Sequence, residues 1–154
     1  MRALSRLILA LPLTAAPAAA QPTPHPALVE LIPLVEVYDA RRNQAPGFDV
    51  AGIRCAALVQ AQDSVARRFT NLPGPDARAL RAARANLSAA EVDRQQRGQS
   101  RTRATASTRA DGQRVQALYV TRFEQNLARG VHPWRGDSLI ERDTIYCGFL
   151  NERG

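Results

Sequence analysis

"VAGIRCAALVQAQDSVARRF", residues 50–69, is the stretch in which apolar side chains recur most clearly at helical spacing. Ala51, Cys55, Leu58, Val59, Ala66 and Phe69 trace one stripe, with Gln62 its single polar member. Gln60, Ser64, Arg67 and Arg68 fall on the opposite, wet side, and Ile53 falls there with them. Asp49, just before the stretch, suits an N-cap because its side chain can accept from the unpaired amides of a first turn. The reading is an amphipathic helix from Asp49 to about Phe69, with Cys55 on its buried face.

The same period recurs on both sides. "TNLPGPD" (70–76) breaks the first helix, and Pro75 leads into a second over 76–96, where Leu80, Ala83, Leu87 and Ala90 recur every three or four residues. In "RVQALYVTRFEQNLARG" (114–130), Val115, Leu118, Tyr119, Phe123 and Leu127 form a broad apolar face. Glu124, Gln125 and Asn126 mark the wet side, and Gly130 is placed to end the helix. "SLIERDTIYCGFLNE" (138–152) opens with capping-box spacing between Ser138 and Glu141 and turns Ile140, Cys147 and Leu150 inward, with Tyr146 alongside and room for a kink near Asp143. Upstream, Pro33 fits the first turn of a helix to about Arg42 that sets Leu34, Val37 and Tyr38 on one face, although Val35 and Val37 also suit a short strand. The expected fold is all-α: a small bundle of three to five helices in a single domain over 33–154.

One segment departs from this pattern. "DRQQRGQSRTRATASTRADGQR" (93–114) holds no Leu, Ile, Val or aromatic residue, and its six arginines (Arg94, Arg97, Arg101, Arg103, Arg109 and Arg114) face only Asp93 and Asp111. So little apolar area is expected to leave it a mobile polar linker or a solvent-washed helical extension. Its charge makes the six arginines candidate ligands for an anionic envelope component, either lipid headgroups or a cell-wall polymer.

The first 20 residues read as a cleaved secretory signal: Arg2 and Arg6, a short apolar run over Leu7 to Leu13, then Ala18-Ala19-Ala20. That run is too short, and too broken by Pro12 and Pro17, for the roughly 20 apolar residues of a membrane span. A flexible proline-rich lead is expected over 21–32. All 21 basic residues are arginine, a bias expected of a GC-rich bacterial gene. Loss of Arg2 and Arg6 leaves 19 arginines against 14 acidic residues.

The only two cysteines, Cys55 and Cys147, have no spacing suited to zinc or haem, and His25 and His132 are too few and too distant to complete a metal site. An even cysteine count in an exported chain points instead to a disulfide. Closing so long a loop carries a chain-entropy stabilisation of about 4–5 kcal/mol.

No catalytic set is recognisable, and no cofactor is implied. In "VHPWRGD" (131–137), His132 and Trp134 are candidates for a pocket wall, or for a lid on the core. Asp137 and Glu141 are accounted for by helix capping. Asp143 is not, and calls for an arginine on another helix. The resulting expectation is a non-enzymatic protein of the periplasm or secreted space that acts through contacts with an envelope protein, anionic envelope binding being the alternative. Nucleic acid is not an expected partner, because the chain is exported and its arginines lack interleaved aromatic platforms.

Overall fold

The computed structural model of the chain describes residues 23–39, 48–69 and 71–152. Among these residues there is no β-strand. A 3-10 turn, Pro26–Leu28, precedes five helices: α1 (Leu34–Asp39), α2 (Phe48–Arg68), α3 (Ala77–Gln96), α4 (Arg101–Ala128) and α5 (Ser138–Glu152). The all-α bundle read from the sequence is therefore the fold. The proposed signal, and the continuation of α1 over 40–42, lie outside the described residues.

α2 is the axis of the molecule. It packs most extensively on α3 and α4, and more lightly on α5 and the 3-10 turn. This explains why the stripe expected for it was too narrow. Ile53, placed on the wet side by the helical period, is fully buried, as is Arg54 beside it, because neighbours surround the first three turns of α2 on every side. Val59 and Ala66 are only partly covered and Phe69 is 40% exposed, since the far end of α2 has fewer neighbours. Small residues bring the helices close. A Cβ on Gly52 would meet the Asn86 carbonyl oxygen of α3 at 2.8 Å.

The arginine-rich segment is not a linker. It comprises the end of α3, a short turn and the first half of α4, whose N-cap Ser100 accepts from the Arg103 amide at 3.4 Å. Nor is solvent on all its sides, because Ala104, Thr108 and Gly112 recur every fourth residue and are buried. Alanine, threonine and glycine serve as an interior face where helices approach closely, and a search for large apolar residues passes over them. Farther along α4, Val115, Tyr119 and Phe123 continue the buried face as expected. Burying each of these is worth roughly 1.5–3 kcal/mol. Gly130, at φ +73°, ends the region with its amide on the Leu127 carbonyl at 2.9 Å.

Two further expectations are revised. Residues 26–32 are not a free lead: Ala27 and Leu28 belong to the core. Asp49 lies inside the first turn of α2, and its carboxylate faces α3 arginines instead of capping its own helix.

The cysteines are joined. Cys55 of α2 and Cys147 of α5 form a disulfide with Cα atoms 5.4 Å apart, both residues nearly fully buried. α5 is one continuous helix from Ser138. Its cap is Asp137 rather than Ser138: Asp137 Oδ1 accepts from the Leu139 and Ile140 amides at 3.2 and 3.4 Å, while Glu141 Oε1 accepts from the Gly136 amide at 2.8 Å.

Candidate functional site

Three clusters of polar chemistry stand out. The deepest surrounds Arg54, whose side chain is wholly buried. Its Nε donates to the Tyr119 hydroxyl at 3.0 Å, and its Nη1 donates to the carbonyls of Ala27 and Glu30 at 3.0 and 3.1 Å. Its Nη2 pairs with Asp143 Oδ2, to which the Tyr119 hydroxyl also donates. Asp143 Oδ1 accepts from the Leu34 amide at 2.8 Å. This is the arginine on another helix that Asp143 called for.

Burial pushes the Tyr119 phenol well above its ordinary pKa; Arg54 opposes that shift and Asp143 adds to it. For Arg54, burial works against the charge, but Tyr119 and Asp143 outweigh it and raise its pKa. The Arg54, Tyr119 and Asp143 side chains are all inaccessible and multiply bonded, so the cluster acts as a joint between the 3-10 turn, α1, α2, α4 and α5.

The second cluster takes up half of the candidate anion ligands. Arg94 is buried between two carboxylates, donating from Nε to Asp49 Oδ2 at 3.0 Å and from Nη2 to Asp111 Oδ2 at 2.8 Å. Arg97 Nη2 lies 2.5 Å from Asp49 Oδ1, in ionic contact without hydrogen-bond alignment, and 2.8 Å from Asp93 Oδ2. Arg114 pairs with Asp111 at 2.5 Å. Three arginines and three aspartates thus neutralise one another across α2, α3 and α4.

Arg101, Arg103 and Arg109 are different: they are exposed and have no ion pair among the described residues. Each opens on a cleft. Arg103 lines one of about 580 Å³ with Arg97, Gln99 and Ser107; Arg101 and Arg109 line another of about 570 Å³ along α4.

The third cluster closes the α4–α5 connection. Asn126, expected on the wet side, is buried, and its Nδ2 donates to the Pro133 carbonyl at 2.8 Å and to Asp137 Oδ2 at 2.9 Å. Arg122 Nε donates to the same Oδ2 at 2.7 Å. Burial alone would raise the pKa of Asp137; the Arg122 and Asn126 hydrogen bonds outweigh it and hold the carboxyl at about 2.

Trp134 packs edge-on against Phe123, with ring centres 5.4 Å apart, and His132 packs edge-on against Trp134 at 5.1 Å. His132 Nδ1 accepts from the Trp134 and Arg135 amides, both at 3.3 Å. Burial, with help from Arg135, lowers the His132 pKa. The pair covers the end of the core as a lid and lines none of the clefts named here.

Among the described residues no group of three or more side chains is placed to hold a metal ion, and no helix is long and apolar enough to cross a membrane. The outer face of α5 presents Ile145 and Phe149, 60% and 61% exposed and one helical turn apart. Comparison with protein-family models, with curated proteins and with solved structures finds no match for this chain.

Proposed function

We propose that the chain is an exported, non-enzymatic helical protein of the bacterial envelope that works by docking onto another envelope protein through α5. The observation that carries this reading is the division of α5 into two faces. The inner face is fastened by Cys147, Asp143 and the Asp137 cap, while the outer face holds Ile145 and Phe149 towards solvent. Two large apolar side chains on a rigidly held helix are the kind of anchor that fits a partner's groove. The signal-like first 20 residues support export, and the disulfide is in keeping with an oxidising compartment.

A photo-crosslinking side chain at position 149 of the exported protein tests this. The expected result is a crosslink to one envelope protein, lost in Ile145→Asp with the helical circular dichroism unchanged. A crosslinking pattern no different from that of the same probe at exposed Arg81 overturns the reading.

The anionic-envelope reading keeps a narrower basis in Arg101, Arg103 and Arg109, the three candidates without carboxylate partners among the described residues. Flotation with anionic vesicles at low and high salt tests it. Binding should be salt-sensitive and should fail when all three are changed to Gln.

A further inference from the structure

Between α2, α3 and α4 runs a groove of about 650 Å³, within the range of small-molecule sites. Ten of its twelve lining residues carry a polar side chain, although about half of the lining surface is the hydrocarbon of those side chains and of Leu87. One of its side chains lacks the partner that burial requires, and the arginine beside it is uncommitted to any carboxylate among the described residues. Thr108 is 1% exposed, and its Oγ1 makes no hydrogen bond among the described residues. A buried hydroxyl in this state is unusual, because leaving it unpaired is costly. Arg109, one residue on, has no carboxylate partner among the described residues. The groove's two acids are each bonded to another lining residue and not to Arg109: Asp63 accepts from Arg67 at 2.9 Å, and Glu91 Oε2 accepts from the Thr105 hydroxyl at 3.1 Å. Gly112 leaves room beside Thr108, since a Cβ there would meet only Leu87 at ordinary contact distance.

We infer that this groove is a binding site for a hydroxylated carboxylate of sugar-acid size. Arg109 takes the carboxylate, as a guanidinium pairs with two carboxylate oxygens at once. The amide of Gln113 bonds one ligand hydroxyl, and the Thr108 hydroxyl, closed off in this conformation, bonds another after a rotamer change turns it towards the groove. Glu91 and Asp63 keep free lone pairs that accept from further hydroxyls, so a polyol is favoured over a bare anion.

Calorimetric titration of the full protein with glucuronate, glucose and acetate tests the assignment. Glucuronate should bind saturably at millimolar or lower concentration, with glucose and acetate each weaker by about tenfold or more. Arg109→Gln should weaken glucuronate about tenfold, whereas Arg103→Gln, in a cleft that Arg109 does not line, should not. Thr108→Val should weaken glucuronate roughly fivefold while raising the melting temperature, because it removes an unpaired buried hydroxyl without changing shape. Absence of saturable glucuronate binding, acetate binding as tight as glucuronate, or parental affinity in both Arg109→Gln and Thr108→Val overturns the site.

Discussion

The backbone amide of Leu34 donates to the carboxylate of Asp143 across 2.8 Å, although the two are 109 residues apart in sequence. As the first residue of α1, Leu34 has an amide with no partner inside its own helix, and α5 supplies one. The same carboxylate holds Arg54 and Tyr119. Removing it would leave a buried guanidinium uncompensated. Asp143→Ala should therefore cost about 3–5 kcal/mol in urea unfolding, and Arg54→Met with Asp143→Leu should recover much of the loss. Parental stability in Asp143→Ala would show that the joint does not hold the fold.

The disulfide fastens α5 to the same part of α2. Reduction, or Cys147→Ala, should lower stability by about 2–5 kcal/mol. The free thiols should have no catalytic consequence. Thermal melts with and without reductant check this, and superimposable curves would remove the clasp role.

Gly52 marks a close approach of α2 and α3. In Gly52→Ala the new methyl group meets backbone, which cannot swing aside as a side chain does. The expected cost is about 1–3 kcal/mol, despite the better helix propensity of alanine. A stabilised Gly52→Ala would contradict so close an approach.

Asp137 makes stability depend on acid. Its unfolded carboxyl takes up a proton near 3.8 and its folded carboxyl only near about 2. Its contribution is thus complete above the unfolded value and disappears as pH falls through the folded one. The amount is on the order of 2 kcal/mol. Asp137→Asn should lose about that much near neutrality and flatten the acid limb of the stability profile, which urea melts across pH will show.

Helical periodicity made the fold class legible, and cysteine parity together with a signal-like start made the bridge legible. Asp143 was legible only as a charge without a local explanation. Its partner was not, because nothing singles out Arg54 among the arginines until α2 is known to be enclosed. Asn126 was missed for the same reason: its partners Pro133 and Asp137 lie beyond a loop whose path the helical period does not specify. The arginine segment misled because its interior face is made of Ala104, Thr108 and Gly112, which resemble loop composition in a one-dimensional reading. Of the six arginines proposed as one patch, three are bound to aspartates, Asp93 and Asp111 of the segment itself and Asp49 of α2, and the share taken by Asp49 is one that only tertiary structure reveals.

The close helix packing has a thermal consequence. Among the described residues, eight of the 21 buried apolar ones are alanine, so unfolding uncovers less hydrocarbon than a core of leucine and phenylalanine would. Because newly wetted hydrocarbon is what raises the heat capacity of the unfolded chain, scanning calorimetry should give an increment below the usual 12–15 or so cal/mol/K per residue. The protein should then hold a nearly even stability over a wide span of temperature, with cold unfolding displaced far below freezing.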